Sequence, residues 1–507
     1  MSKLLEKLQN RVQGDLLFDT FSRGRYATDA SLYQMMPLGV LSPKSEDDIR
    51  AALDTATEQG VPILARGGGT SQCGQTVNEA LVLDNTQYFN DILELDVENQ
   101  RCVVRPGIVL DELNRALKPH GLWFPVDVST ASRATIGGMA GNNSCGGKSL
   151  RYGMMRDNVL SIDAFLADGS KHTFGSNGAA ASPTYTELSN DLLSLGSREA
   201  LEIDARFPKV MRRVGGYNID ALVPKNTPNN LAHLLVGSEG TLAYSAAIEL
   251  KLWPLVSEKV LGVCHFPTFY QAMDAAQHLV KLKPQGVELI DSTMIGLGRD
   301  IPMFRNTIAN FVTGEPEALL LVEFAEEDPS RHQNKLRELE DLMGDLGFSW
   351  SGNGKSWGGV TPVKDSKVQG AIADFRSSGL NIMMSRKDEG KPVSFVEDCA
   401  VELQDLAEYT SGLTVIFDKH GTKGTWYAHD SVGCLHVRPI LNLKLDQDVK
   451  KMRDIAEECF DLVAKYKGSH SGEHGDGLVR SEFHEKMFGT RMIESFGEVK
   501  KRFDPKG

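Results

Sequence analysis

The sequence has 507 residues, with 55 Lys or Arg against 68 Asp or Glu, which gives a formal net charge of −13. This length exceeds the roughly 250–300 residues that one hydrophobic core supports, so two or three domains are expected. With 41% hydrophobic and 24% charged residues the composition is that of a folded globular protein, and the acidic balance argues against a nucleic-acid binder.

The N-terminal segment and the cysteines bear on the compartment. The first seven residues lack the apolar stretch of a signal peptide, and no run approaches the ~18–20 apolar residues that span a bilayer. The seven cysteines are scattered and form no Cys-x-x-Cys pair. This pattern favours free thiols in a reducing compartment, so we expect a cytoplasmic protein without a transmembrane segment.

The first half of the chain alternates short strands and helices. Spaced leucines predict an amphipathic helix within residues 1–20, and a helix opens after Pro43. Residues 109–118 read as a helix, and a strand pair around 159–167 turns at Asp168-Gly169. The predicted strands lie at 61–64, 81–84, 92–97, 102–105 and 243–252.

The second half predicts a further unit. Strand and helix patterns alternate over 258–264, 267–282, 285–291, 318–325 and 330–347, which favours an α+β unit with an antiparallel sheet. Residues 350–395 show little regular pattern. Beyond them we predict a helix at 398–409, strands at 413–418 and 434–441, and a long helix at 446–467.

The chain contains three glycine-rich segments. Residues 66–74 read Arg-Gly-Gly-Gly-Thr-Ser-Gln-Cys-Gly directly after a strand, so their backbone N–H groups can approach a phosphate closely. Residues 125–153 are dense in small and hydroxyl side chains, and 237–242 read Gly-Ser-Glu-Gly-Thr-Leu. The first segment alone is equally consistent with a flexible turn. It lacks the Gly-Lys-Ser/Thr ending of a P-loop.

These segments, in this order and spacing, resemble the FAD-linked oxidases, the flavin-binding family of vanillyl-alcohol-oxidase type. The resemblance implies FAD, with residues 66–71 at the pyrophosphate and 132–144 along the rest of the cofactor. Thr70 stands where some relatives carry a histidine that attaches FAD, so non-covalent FAD is expected. The implied cofactor-binding residues are Arg66, Gly67, Gly68, Gly69, Thr70, Ser71, Pro125, Ser132, Thr135, Gly137, Gly138, Asn142, Ser144, Tyr152, Glu239, Gly240 and Thr241.

A second constellation lies near the C-terminus. His429 and His436 are seven residues apart, which puts them on opposite faces of one straight strand unless Gly433 permits a bend. Glu473 and His474 follow in a glycine-flanked loop. Two imidazoles and a carboxylate form the ligand set of a catalytic divalent ion; Zn²⁺ is the first candidate, and Mn²⁺ and Fe²⁺ share these ligand types. An ordinary buried histidine is the alternative for each imidazole alone.

Within the family, this pattern is similar to the metal-dependent D-2-hydroxyacid dehydrogenases, which include D-2-hydroxyglutarate and D-lactate dehydrogenases. The resemblance implies that His429, His436 and Glu473 hold the ion and that His474 is the general base. We assign no role to His470 or His484. Asp476 is interpreted as a loop-capping residue.

Cations are needed for the substrate carboxylates. Arg376 and Lys391 match the spacing of the family's arginine and lysine ligands, although both are also typical of solvated surface residues. Two positions depart from the family pattern: Leu380 replaces a threonine, and Arg438 replaces an asparagine. Because Arg438 adds a cation beside the metal, a second substrate carboxylate is indicated, which favours D-2-hydroxyglutarate over D-lactate.

The predicted fold class is α+β, with a two-subdomain FAD-binding domain at 1–255, a cap domain with an antiparallel sheet at 256–425, and a C-terminal segment at 426–507 that carries the metal and catalytic residues back to the FAD domain. The expected electron acceptor is a quinone, an electron-transfer protein or an appended iron–sulfur domain, and the protein could be peripheral to a membrane through it. The ending at 502–507 suggests a fragment, and no iron–sulfur cluster is expected within the chain because its cysteines are ungrouped.

Two other classes of protein stay open. One is a metal-dependent hydrolase that uses His429, His436 and Glu473 without a flavin, although it leaves the glycine-rich segments unexplained. The other is a flavin-binding subunit without activity of its own, serving as an interaction or electron-transfer module.

Overall fold

The computed structural model describes residues 2–176, 182–256, 258–384 and 387–507. A four-stranded sheet in the order β1-β2-β4-β3 opens the chain, with β2, β3 and β4 parallel and β1 antiparallel to β2. Helix α3 begins after the side-chain cap of Ser45 and ends at Gly60, whose φ of 63° suits a glycine C-cap. The elements are α1 (Ser2–Gln9), β1 (Asp15–Leu17), α2 (Thr20–Gly24), β2 (Gly39–Ser42), α3 (Glu46–Gln59), β3 (Ile63–Arg66) and β4 (Leu81–Asp84).

A five-stranded antiparallel sheet follows, in the order β5-β6-β10-β8-β9. The first glycine-rich segment lies between β3 and β4 of the four-stranded sheet, and the second lies between β7 and β8 and carries the short helices α5 and α6. The elements are β5 (Ile92–Asp96), β6 (Arg101–Val104), α4 (Leu110–Leu117), β7 (Leu122–Trp123), α5 (Ile136–Asn142), α6 (Ser149–Tyr152), α7 (Met155–Asn158), β8 (Val159–Phe165), β9 (Lys171–Gly175), α8 (Pro183–Arg206), α9 (Ala232–Leu235), β10 (Tyr244–Lys251) and β11 (Trp253–Pro254).

A seven-stranded antiparallel sheet forms the second half, in the order β17-β12-β14-β13-β19-β20-β18. Every residue of β12 is buried, because helices cover the sheet. The elements up to β18 are β12 (Val260–Phe266), α10 (Phe269–Leu279), β13 (Gly286–Asp291), α11 (Ser292–Asp300), α12 (Pro302–Phe311), β14 (Ala318–Phe324), α13 (His332–Asp345), β15 (Phe348–Ser349), β16 (Ser356–Trp357), β17 (Gly359–Val363), α14 (Ser366–Ser377), α15 (Gly379–Met384) and β18 (Lys391–Pro392).

The last part of the chain adds a hairpin to this sheet and then helices. The hairpin β19–β20 joins the sheet beside β13, so strands from both sides of residue 425 share one sheet. The elements are α16 (Leu406–Lys419), β19 (Gly424–His429), β20 (Cys434–Leu441), α17 (Asp446–Lys465), α18 (Gly477–Arg480), α19 (His484–Phe488) and α20 (Thr490–Phe503). In the described part of the chain, no helix combines the length and the apolar character needed to cross a membrane.

The predicted α+β class with an antiparallel cap sheet is confirmed, and several predicted elements are wrong. Residues 413–418 belong to helix α16, whose buried Leu406, Leu413 and Phe417 follow a helical spacing that the β-branched residues between them obscured. The helix predicted at 398–409 begins only at 406. Residues 350–395 contain β17, α14 and α15, and the helix predicted for 1–20 ends at Gln9, because Asp15–Leu17 pairs with β2.

Candidate active site

A cavity of about 590 Å³ lies between the glycine-rich segments and the seven-stranded sheet. The first loop contributes residues 67–72 to its lining, and the second segment contributes residues from 127 to 148. Strands β12, β13 and β14, helix α14 and the hairpin β19–β20 supply the other wall. The predicted flavin loops and the predicted metal residues therefore face one cavity.

The first glycine loop packs directly against the residues before α5. A Cβ atom on Gly67 would overlap Thr135 Oγ1, and one on Gly68 would overlap the Arg133 carbonyl oxygen. Gly69 has a φ of 65°, a left-handed conformation that favours glycine. Arg66 donates to the carbonyl oxygens of Tyr26, Thr28 and Thr76, so its buried guanidinium holds the loop.

Nine of the seventeen predicted cofactor-binding residues line the cavity: Gly67, Gly68, Gly69, Thr70, Ser71, Thr135, Gly138, Asn142 and Ser144. The other eight lie outside its lining: Arg66, Pro125, Ser132, Gly137, Tyr152, Glu239, Gly240 and Thr241. Tyr152 packs edge-on between the rings of Trp123 and Trp253. Thr241 forms a 2.6 Å hydrogen bond with the Tyr217 hydroxyl.

Glu239 contacts the loop that carries Glu473 and His474. Its carboxylate accepts hydrogen bonds from the backbone N–H of Asp476 at 2.8 Å and of Gly477 at 3.1 Å, and from Gln75 Nε2 at 3.1 Å. Burial and the nearby Asp476 carboxylate raise the pKa of Glu239 to about 7. The residue therefore joins the third glycine-rich segment to the loop of the predicted metal ligand.

The two predicted metal histidines lie on adjacent strands. A turn at 430–432 separates β19 from β20, and Gly433 adopts a φ of 66° at its end. Since Tyr427 pairs with His436, and His429 is two residues beyond Tyr427, both imidazoles lie on one face of the hairpin. The spacing of the two histidines allowed them to meet one ion only if the chain bends near Gly433, and the turn of the hairpin provides that bend.

Glu473 completes a three-residue group with these imidazoles. Its Oε1 lies 3.0 Å from His436 Nε2, and its Oε2 lies 3.5 Å from His429 Nε2. One ligand atom from each of the three residues falls within 4.8 Å of the others. The fully buried Arg212, which the sequence analysis missed, contacts Glu473 Oε2 at 3.0 Å.

The Glu473–His474 loop is fixed by Asp398, which is completely buried and has a φ of 79°. Its carboxylate accepts the backbone N–H of Glu473 at 2.7 Å and of His474 at 2.8 Å, together with the Ser471 hydroxyl at 2.6 Å. A non-glycine residue with this φ is strained, and its three hydrogen bonds offset that cost. The loop geometry is therefore set by a residue 75 positions away from Glu473.

The protonation states at this group suit a cation. Burial raises the pKa of Glu473, but His436 and His429 outweigh it and place that pKa well below the ordinary value. Burial lowers the pKa of His436. The ionised form of a carboxylate and the neutral form of an imidazole are the forms that coordinate a divalent metal, and these shifts favour the first at Glu473 and the second at His436.

His474 stacks on His436, with ring centroids 5.2 Å apart and planes inclined by 25°. Its Nε2 lies 3.4 Å from Glu473 Oε1 and its Nδ1 lies 3.5 Å from Glu397 Oε1. Burial lowers its pKa, but Asp398, Glu473 and Glu397 outweigh burial and raise the pKa of His474.

The three predicted substrate cations differ in their partners and in whether they line the cavity. Arg376 lines the cavity, and its guanidinium is ion-paired with Glu288. Arg438 is ion-paired with the fully buried Glu397. Burial raises the pKa of Glu397, but Arg438 outweighs burial and lowers that pKa to about 2. Lys391 lies on β18 opposite Leu441 and outside the cavity lining. The side chain of Leu380 lies outside the described residues.

Comparisons with known proteins agree with this architecture. A model of the FAD binding domain matches residues 37–175, and a model of the C-terminal domain of FAD linked oxidases matches residues 255–507. p-Cresol methylhydroxylase with substrate bound superposes with a TM-score of 0.69 at 12% identity, covering 99% of this chain and 94% of that one. At that identity the likeness shows the fold alone.

Two curated relatives span almost the whole chain. D-2-hydroxyglutarate dehydrogenase of Pseudomonas putida is 31% identical over 99% of this chain and 51% of its own length. D-lactate dehydrogenase of Archaeoglobus fulgidus is 28% identical over 92% of this chain and 89% of its own length. The chain spans about half the length of the D-2-hydroxyglutarate dehydrogenases it matches.

The two family models match both halves of this fold, and they place the chain in the class of FAD-linked oxidases. The chain belongs to the FAD-linked oxidases of the vanillyl-alcohol-oxidase flavoprotein family.

Proposed function

We propose that this chain carries the FAD- and divalent-metal-dependent site of a dehydrogenase that oxidises a D-2-hydroxyacid, preferably D-2-hydroxyglutarate, to the 2-oxoacid. The observation that carries the proposal is the convergence of His429, His436, Glu473 and His474 on the same cavity as the two glycine-rich segments. A hydrolase without flavin would have no use for that glycine lining.

The residues that line the cavity fit both FAD and a divalent metal ion. The first loop has glycines where a Cβ would collide with its neighbours, so its backbone can run close to a bound phosphate, and FAD is proposed to bind without a covalent link at Thr70. His429, His436 and Glu473 would hold the ion, Zn²⁺ being the first candidate. When bound, FAD supplies the acceptor for the hydride of the substrate Cα, and the ion supplies a Lewis acid that lowers the pKa of the hydroxyl.

The protein's own part is to orient the substrate and move its proton. His474 lines the cavity and takes the hydroxyl proton at Nε2, since its Nδ1 is buried, and Asp398 fixes the backbone that carries the imidazole. Arg376 is the cavity-lining cation for the substrate carboxylate next to the reacting carbon. Lys391 and Arg438 are proposed as more distant contributors of positive charge.

The preference for D-2-hydroxyglutarate rests on relatives of 29–31% identity that carry this name. D-Lactate is the second candidate for two reasons. Arg438, the cation expected for a second substrate carboxylate, is already paired with Glu397. The D-lactate dehydrogenase of Archaeoglobus fulgidus is matched over 89% of its own length. The electron acceptor is proposed to be a quinone, an electron-transfer protein or an appended iron–sulfur domain.

Anaerobic bleaching of the flavin tests the reaction. Purified protein loaded with FAD and Zn²⁺ is mixed with D- and L-2-hydroxyglutarate and D- and L-lactate, with and without a chelator. We expect the D-acids to bleach the flavin and the chelator to slow bleaching at least tenfold. Bleaching by L-acids only, or indifference to the chelator, would contradict the mechanism.

His474→Ala tests the general base. We expect the variant to retain FAD and metal but to reduce the flavin about 10²–10⁴-fold more slowly, since a positioned base contributes that factor. Flavin and metal content are measured together with stopped-flow reduction, and His120→Ala, at an exposed histidine, is the control. Loss of FAD or metal from His474→Ala would assign the residue to cofactor binding.

A further inference from the structure

Glu288 is a carboxylate inside an otherwise apolar stretch of a central strand. It lies on β13, between Val287 and Leu289, both of which are completely buried, and its side chain is 14% exposed. It faces the cavity. A charge in this setting needs partners, because burying an isolated carboxylate is costly.

Its two partners are the predicted metal ligand His429 and the predicted substrate ligand Arg376. Both carboxylate oxygens lie 2.9 Å from His429 Nδ1, and Oε2 is ion-paired with the Arg376 guanidinium. Arg376 Nη2 lies 3.4 Å from the same His429 nitrogen. Glu288 therefore joins the two halves of the proposed site.

We infer that Glu288 is a positioning residue that accepts the Nδ1 proton of His429, turns its Nε2 toward the Glu473 carboxylate, and holds Arg376 beside it. The inference rests on the proposed function, since it concerns the ion that His429 would bind. A carboxylate on the far nitrogen of a metal-bound imidazole fixes its tautomer and orientation.

The two imidazoles are held in different ways. His436 stacks between Tyr427 at 4.7 Å and His474 at 5.2 Å, and its buried Nδ1 has no hydrogen-bond partner among the described residues. His429 meets His436 only edge-on, with planes inclined by 84°. Its orientation therefore depends on the Glu288 hydrogen bond, whereas His436 is held by stacking.

The second glycine-rich segment leaves room for this carboxylate. A Cβ atom on Gly147 would overlap Glu288 Oε1 and would lie 3.7 Å from His429 Nδ1. A glycine of the second glycine-rich segment thus borders the predicted metal residue His429. Any side chain at 147 would push Glu288 away from His429.

The test measures metal affinity rather than turnover. Zn²⁺ affinity is determined by competition with a chelator, and Co²⁺ absorption reports the ligand geometry, for the FAD-loaded wild type and for Glu288→Gln. We expect Glu288→Gln to bind Zn²⁺ roughly 10–100-fold more weakly and to change the Co²⁺ spectrum. Gly147→Ala should shift affinity in the same direction.

Glu249→Gln is the matched control, because this strand glutamate also pairs with an arginine and accepts a second hydrogen bond, yet lies outside the cavity lining. It should bind Zn²⁺ like the wild type. Unchanged affinity and spectrum in Glu288→Gln, with a wild type that binds Zn²⁺, would overturn the inference and leave the proposed function standing. A wild type that binds no divalent ion would overturn both. If Glu288→Gln does not fold, unchanged affinity in Gly147→Ala overturns the inference instead.

Discussion

Gly67 shows how the absence of one side-chain carbon lets the first glycine loop pack against Thr135. The loop approaches α5 so closely that the space a Cβ would need is taken by Thr135 Oγ1. Thr135 is also the N-cap of α5, accepting the Gly138 N–H, and both residues line the cavity. The glycine is therefore required by the close approach of the loop to the Thr135 side chain.

Gly67→Ala should weaken FAD binding roughly 5–100-fold. The added methyl displaces Thr135 or the loop, and overpacking of this kind costs about 1–3 kcal/mol. Each 1.4 kcal/mol of binding free energy corresponds to a factor of about ten in affinity. Flavin retained per chain after dialysis measures the effect. Gly24→Ala is the control, because a Cβ there meets nothing within 4 Å. Equal flavin retention in both variants would show that the cradle tolerates a side chain.

Helix α19 is tied to the Glu473 loop by a second histidine cluster, to which the sequence analysis assigned no role. Asp476 lies 2.9 Å from His470 Nε2 and 2.9 Å from His484 Nε2, and it accepts the Gly216 N–H at 2.7 Å. Burial lowers the pKa of His484, but Asp476 outweighs it and raises that pKa. Burial raises the pKa of Asp476, but the two histidines, His484 and His470, outweigh burial and lower that pKa well below its usual range.

The Asp476–His484 pair should stabilise the fold most between about pH 4 and 6.5, the ordinary pKa values of the two groups. The raised pKa of His484 means that its contribution is complete below about pH 6.5 and is lost as the pH rises through the folded value. The depressed pKa of Asp476 means that its contribution is lost as the pH falls below about 4. His484→Gln should therefore lower Tm by a larger amount at pH 6 than at pH 9. Thermal unfolding at both pH values measures this difference; equal losses would contradict a charged pair.

Elements with a clear period were predicted well and elements with mixed signals were not. The helix at Asp446–Lys465 and the strand at Cys434–Leu441 lie where the pattern put them, because one face of each is continuously apolar. Helix α16 was misread because Leu413–Phe417 contains β-branched residues whose strand preference the tertiary packing overrides. The hairpin β19–β20 was missed as a pair, although it places His429 and His436.

At the scale of the molecule, the proposed site exists only where distant parts of the chain meet. The cavity takes its glycines from residues 67–69, its acid from Glu288 and its imidazoles from the C-terminal hairpin and loop. Glu239 and Gln75 form hydrogen bonds with the loop that carries His474, and Arg212 forms an ion pair with Glu473. Ligands bound in the cavity should therefore stabilise the whole chain.

Zn²⁺ should raise Tm of the FAD-loaded protein, because an ion bound only to the folded state stabilises it by about 2.7 kcal/mol at one hundred times its Kd. Differential scanning fluorimetry over a Zn²⁺ series measures the shift. His436→Ala removes one proposed ligand, and its Tm should not respond. A rise of equal size in His436→Ala would place the ion elsewhere.

The sequence by itself determined the family and the residue types that could bind a metal, because glycine clusters and histidine spacings are local patterns with a chemical meaning. Only the tertiary structure decided which side chains meet. Glu288, Asp398, Arg212 and Glu397 were not identified from the sequence, since each acts on a residue far from it along the chain. A lone glutamate in an apolar strand was the one local signal for them. Partner choice among buried charges follows from three-dimensional proximity, which is why the pairing of Arg376 with Glu288 and of Arg438 with Glu397 did not follow from the sequence.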